Sequence, residues 1–191
     1  MNIQSALKTN ISEPEIHKSV LYKSPCDHNI DVLHQFQKDI YENLSESNKS
    51  FFLLKTKSFL KDHFQAGGMA IALTNMDNQL VAQALIVVPS IEHPNTGMTD
   101  MKAMPALDQM TVLQGVAVDP QCRGHGLGDK LVNEWVAVAH QIKRPHLVAE
   151  TAQDNIASVS LFEKHGVDIV SEGIDMDDGT KLYNHHRHLG L

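Results

Sequence analysis

Residues Thr111–Ile142 read TVLQGVAVDPQCRGHGLGDKLVNEWVAVAHQI. Val112 to Val118 is an apolar, valine-rich run, and Asp119-Pro120 stops it, as a strand ends at a turn. Leu127, Leu131, Trp135, Val138 and Ile142 then recur at helical spacing. Between strand and helix lies Arg123-Gly124-His125-Gly126-Leu127-Gly128. Glycines at alternate positions let the backbone turn sharply without a Cβ clash. A helix N-terminus presents unpaired N–H groups and roughly +0.5 of a charge, which suits a phosphate. Arg123 adds a fixed positive charge with several donors.

Three readings fit this turn. The plainest is a glycine-containing loop that binds nothing. The second is a dinucleotide-binding turn of pattern G-x-G-x-x-G. Gly124 and Gly126 supply its first two glycines, but the third position is Asp129, whose carboxylate would repel a pyrophosphate. Glu150 does lie about where a ribose-binding acid would stand, yet no clear βαβ unit precedes the turn. A Walker loop is excluded because no Gly-Lys-Ser/Thr follows.

The third reading is a resemblance. Val116-Ala117-Val118 followed by Arg123-x-x-Gly126-x-Gly128 resembles the acyl-CoA-binding motif of the GNAT acetyltransferases, Gln/Arg-x-x-Gly-x-Gly/Ala. Downstream, Asn155-Ile-Ala-Ser-Val-Ser-Leu-Phe-Glu-Lys-His-Gly166-Val resembles that family's Asn-x-x-Ala/Ser-x-x-Leu-Tyr-x-Lys-x-Gly-Phe helix, with Phe162 at the tyrosine and Val167 at the final phenylalanine. The resemblance covers about residues 111–170. It implies acetyl-CoA as co-substrate, held by Val116, Ala117, Val118, Arg123, Gly124, His125, Gly126, Leu127 and Gly128, with Asn155 and Phe162 nearby. It also implies direct transfer of an acetyl group to an amine, and dimers, which are common in the family. The family's usual general acid is the tyrosine that Phe162 replaces, so the leaving thiol has no obvious proton donor. No carboxylate or histidine occurs in residues 111–118 to act as base. Glu150, at the end of the next strand, is the nearest candidate; Asp119, His125 and Tyr183 are weaker ones. A non-catalytic acyl-CoA-binding module is the rival that these two gaps favour.

Length and composition set outer bounds. At 191 residues the chain is long enough for one domain with an ample core, expected over 15–191, while residues 1–14 read as a polar arm. A net charge of −7 argues against a nucleic-acid-binding face and is compatible with cationic small molecules or peptides. Two cysteines, Cys26 and Cys122, are too few for a disulfide scaffold and fit a reducing cytoplasm. Residues 1–12 are polar, so no secretory signal is expected, and the longest apolar run, Ala84–Val88, is far too short to span a membrane.

The remaining elements follow in order. Val20–Tyr22 reads as a strand. Leu33, Phe36, Ile40 and Leu44 form one helical stripe, and Phe52, Phe59, Leu60 and Phe64 another. Met69–Thr74 reads as a half-buried strand and Leu80–Val88 as its partner, around a turn at 75–78. Ser90–Met110 is a long connection with four methionines, either a lid over an acceptor or a poorly ordered excursion. His146–Thr151 reads as a strand, Asp154 or Asn155 as a helix cap with Gly166 past the helix end, and Val167–Ile174 with Thr180–His186 as a hairpin. His185, His186 and His188 invite a metal reading, but on a strand His185 would face away from the other two; no metal is expected. The pattern predicts an α/β fold with a mixed sheet, and the order β-α-α-β-β-β-α-β-α-β-β resembles the GNAT fold.

Overall fold

The computed structural model describes residues 16–99, 101 and 103–191. The expected arm at 1–14 lies outside the described residues. The elements are β1 (Ile16–Tyr22), α1 (Asp27–Glu42), α2 (Glu46–Lys49), α3 (Lys57–Gln65), β2 (Met69–Asn75), β3 (Leu80–Val87), β4 (Met110–Val118), α4 (Leu127–Gln141), β5 (His146–Ala152), α5 (Ile156–Lys164), β6 (Asp168–Ile174) and β7 (Lys181–His188). This is the expected order with one extra turn of helix, α2. The second aromatic stripe is corrected accordingly. Phe52 falls outside α3, which starts at Lys57 because the Thr56 hydroxyl accepts from the Phe59 N–H at 3.1 Å.

All strands join one sheet of order β1-β2-β3-β4-β5-β7-β6. Only β4 and β5 run parallel; every other pair is antiparallel. On one face, α4 packs Leu131, Val132, Trp135 and Val138 against Ile71, Leu73, Ile86 and Leu113. Trp135 is fully buried, and its indole N–H donates to the Thr111 hydroxyl at 2.9 Å. The other face is covered by α1 and α3, whose Ile30, Leu33, Leu60 and Phe64 meet Ala70 and Leu85. Strand β2 is therefore buried on both faces, not one. Its alternation of large residues with alanine reflects thick packing toward α4 and close approach of α1 and α3.

The long connection also differs from expectation. Met101 and Met110 pack on Val112 and Val148, with Met98, Met104 and Leu107 around them. The connection thus covers the sheet face over β4 and β5. Arg144 fastens both its ends, donating from Nη1 to the carbonyls of Pro89 (2.6 Å), Leu107 (2.8 Å) and Met110 (3.0 Å). Methionine suits such an irregular interface because it is unbranched and adaptable.

The feature that positions the site is a parting of β4 from β5. They pair only from Met110↔His146 to Leu113↔Ala149. Beyond that, β4 follows β3. Gln114 faces Leu85 and Ala117 faces Gln83, so three steps on β4 match two on β3 and one residue bulges. Gly115 sits in that bulge with φ +58. A Cβ there would meet only Leu85, at 4.0 Å. The left-handed backbone, not close packing, therefore calls for glycine.

Candidate active site

The phosphate-suited turn has the expected build. The Asp119 carboxylate accepts from the Gln121 N–H at 2.8 Å and starts a 3₁₀ turn over Pro120–Cys122. Arg123 is exposed, its Nε donating to the Val118 carbonyl at 3.3 Å. Gly126 is the N-cap of α4 in left-handed conformation, φ +73, and no side chain caps the helix there. The first N–H groups of α4 are thus left for an outside acceptor. The Leu127 side chain anchors the start in the core, and Gly128 allows α5 close, since a Cβ would lie 3.3 Å from Leu161.

Asp129 is not the obstacle its sequence position implies. Its two oxygens receive the Lys164 ammonium and the His165 Nε2, each at 2.8 Å. Those hydrogen bonds hold its carboxyl below the usual aspartate range. The charge is turned toward α5 and balanced there.

Where β4 and β5 part, a cavity of about 640 Å³ opens. Its walls include Gln114–Val116 of the bulge, Glu150 and Thr151 of β5, Asn155 and Phe162, and the segment Ser50–Lys55 after α2. Of the expected contact residues, Val116 lines it, and Val118 is half-buried nearby in the strand. Ala117 turns its methyl the other way, against Phe36 and Ile40. His125 lies within the turn, half-buried. Asn155 caps α5, its Oδ1 accepting from the Ser158 N–H at 3.2 Å. Phe162 is 3% exposed, wedged edge-on to Trp135 at 6.3 Å and tilted against His185 at 5.3 Å.

Glu150 is no solvated strand end. It is half-buried, and its Oε2 accepts from both the N–H (3.0 Å) and the hydroxyl of Thr99. The covering connection thereby orients the carboxylate beside the cavity. Gln114 is fixed the same way, its Nε2 donating to the Thr96 carbonyl at 2.6 Å, while its Oε1 is buried without a partner.

Several of these residues escaped sequence reading. Gln114, a polar residue beside a glycine in an apolar strand, is the signal that could have been followed. Thr151 and His185 form another pair. The His185 Nδ1 faces the Val167 carbonyl at 3.2 Å and so must donate, which leaves Nε2 to accept from the Thr151 hydroxyl at 2.9 Å. Burial pushes the His185 pKa down. His186 stacks on His146 on the opposite face, joined by a 2.9 Å hydrogen bond, with His188 edge-on at 4.7 Å. Among the described residues no group of three His, Cys, Asp or Glu side chains is placed to hold a metal ion.

The cavity opens where the parallel strands part, beside the bulge that β4 makes against β3, and the uncapped start of α4 follows β4 after the turn. The family model described as "Acetyltransferase (GNAT) family" matches residues 34–167. The chain belongs to the GNAT acetyltransferase family. It is an acyltransferase dependent on acetyl-CoA. Solved GNAT structures share its fold. An N-acetyltransferase from Staphylococcus aureus Mu50 is 14% identical with a TM-score of 0.63, over 90% of this chain and 99% of that one. A ribosomal-protein-alanine N-acetyltransferase from Brucella melitensis is 18% identical with a TM-score of 0.62, over 89% and 99%. The Salmonella typhimurium protein yncA, solved with its cofactor acetyl-CoA, is 14% identical with a TM-score of 0.62, over 91% and 95%. A search of curated protein sequences found no match.

Proposed function

We propose that this GNAT enzyme transfers an acetyl group from acetyl-CoA to the primary amine of a small molecule or peptide, by direct attack of the amine on the thioester. The observation that carries the proposal is the bulged separation of β4 from β5. It leaves the edge of β4 beyond Leu113 without a strand partner on the β5 side, beside a cavity whose wall includes the Glu150 carboxylate oriented by Thr99.

The residues fit the co-substrate. The uncapped start of α4, with Arg123, would receive the pyrophosphate, and the balanced charge of Asp129 removes the repulsion. The open edge of Val116–Val118 would pair with the pantetheine amides. A backbone N–H of Val116 or Ala117 would polarise the thioester carbonyl and stabilise the oxyanion. Glu150, held through Oε2, keeps Oε1 for the incoming amine. An alkylamine of pKa ~10.4 must lose a proton before it attacks, and the carboxylate accepts it directly or through water. Phe162 can supply no proton to the departing sulfur. A thiol pKa near ~8.5 makes that departure feasible with only water or the amine's own proton.

The test is CoA release over a panel of amines beside direct measurement of acetyl-CoA binding. Gly126→Asp brings a side chain and a negative charge to the phosphate turn, where a Cβ has room. It should abolish acetyl-CoA binding in a folded protein. Retained micromolar affinity in a folded Gly126→Asp would overturn the assignment of the turn. Binding without release from any amine would favour the non-catalytic reading.

A further inference from the structure

The cavity holds a cation that no carboxylate of the described residues pairs with. Lys55 follows α2 in the wall of the cavity and is half-buried. Its main chain is fixed, because the buried Gln37 Oε1 accepts the Lys55 N–H at 3.1 Å. Its ammonium stands 4.6 Å over the centre of the Phe59 ring. Phe59 lines a second cavity, of about 400 Å³, which shares Gly97 and Gln114 with the first. Lys55 therefore stands where the two meet.

The other charges of the cavity are accounted for. Lys49 pairs with Glu46 at 2.7 Å. Asp175 and Asp178 accept N–H groups within the hairpin tip that they form. Glu150 is held by Thr99. Four other lysines, at 38, 49, 57 and 164, form ion pairs, but Lys55 makes none with any carboxylate of the described residues. Burial lowers its pKa, as expected for a desolvated ammonium without a counter-ion. A partly buried charge left unpaired is costly to folding, and such groups cluster where a ligand supplies the partner. The same cavity thus presents an oriented carboxylate and a separate ammonium that do not neutralise each other.

Resting on the proposed N-acetyltransferase activity, we propose that the acceptor is a small amine that also carries a carboxylate, of the amino-acid class. Its amine faces Glu150 and its carboxylate meets Lys55. The cation–π contact with Phe59 holds the ammonium at the junction without satisfying its hydrogen bonds, so three N–H donors remain for the incoming anion.

The experiment compares initial rates of CoA release from acetyl-CoA with free α-amino acids, the same compounds as carboxamides, and their decarboxylated amines. The acids should exceed the matched amides in kcat/KM by roughly ten- to a hundredfold, the range for a lost charge-assisted contact. Lys55→Met should lower kcat/KM for the acids by that factor and bring the acid-to-amide ratio close to one, while acetyl-CoA affinity is kept. Lys55→Arg should keep part of the preference. A merely structural lysine would not move the acid-to-amide ratio. Calorimetry of acid and amide on the protein saturated with CoA reads the same preference without turnover. Equal use or binding of acid and amide, or of neither, overturns the acceptor class, as does a preference that survives Lys55→Met. Failure to bind acetyl-CoA overturns the acetyltransferase reading itself.

Discussion

Substituting Gly115 separates the two reasons a glycine can be required. Its φ of +58 lies in the left-handed region, where an ordinary L-residue pays about 1–2 kcal/mol. Steric terms are small, because the nearest atoms to a new Cβ belong to Leu85 at 4.0 Å. Gly115→Ala should therefore destabilise by about 1–2 kcal/mol, lowering Tm by roughly 2–8 °C for a chain of this size. The bulge should survive. Flattening it would slip residues 116–118 by one and carry Ala117 out of its place against Phe36 and Ile40. Gly115→Asn should cost less than alanine despite its larger side chain, since asparagine tolerates this backbone conformation. Thermal and urea unfolding of the two variants give the order. If asparagine is worse than alanine, close packing sets the requirement and the argument from φ fails. If alanine costs nothing while acetyl-CoA binding collapses, the strand has flattened and the bulge was weakly fixed.

Two further outcomes follow from the ring cluster and the buried histidines. Phe162→Tyr should change kcat modestly or not at all, with acetyl-CoA affinity nearly unchanged, because the ring sits in a slot shaped by Trp135 and His185; a rise of about a hundredfold or more, the scale of a positioned acid, would show that thiolate protonation limits the enzyme. Stability should fall as pH drops from about 7 toward 5, because burial lowers the pKa of His63 and His185, so the unfolded chain binds more protons there. The stabilisation is complete above the ordinary histidine pKa and is lost below it, at up to about 1.4 kcal/mol per pH unit for each proton of difference. Urea titrations across that range check it, and a flat profile would refute it.

The strand, turn and helix start of the proposed cofactor half were legible as local structure because their requirements are local. A strand, an alternating-glycine turn and a helix start occupy one stretch, and each leaves a mark in residue type. A glycine in a valine-rich strand, such as Gly115, is a residue type that marks either a bulge or close packing, and only its φ and open surroundings tell the two apart. The acceptor half was not legible, because it is assembled across the chain. Glu150 takes its orientation from Thr99, and Lys55 is placed by Gln37 and Phe59. Asp129 misled for the same reason. Its neutralising partners, Lys164 and His165, come from the C-terminal end of a different helix. The aromatic stripe at 52–64 failed more simply, since Phe52 kept helical spacing by chance across the Thr56 cap.

The same distinction decides which wall of the cavity can yield to a substrate. The 88–110 connection is anchored at both ends by Arg144, and lifting it would expose Met101, Met110, Val112 and Val148 to water while leaving Pro89, Leu107 and Met110 carbonyls unpaired. That combination opposes a lid. The opposite wall, Ser50–Lys55, lies between a one-turn helix and the Thr56 cap and exposes Phe51 and Leu53, at 37% and 74%. Its fixed points are few, chiefly the Lys55 N–H bond to Gln37 and the Phe51 and Phe52 N–H bonds back into α2. Few buried contacts and few backbone bonds mark the cheapest local opening. On the proposed reading, access by the acceptor therefore falls to residues 50–54 of this wall, while Lys55 stays held at its end by Gln37 and Phe59.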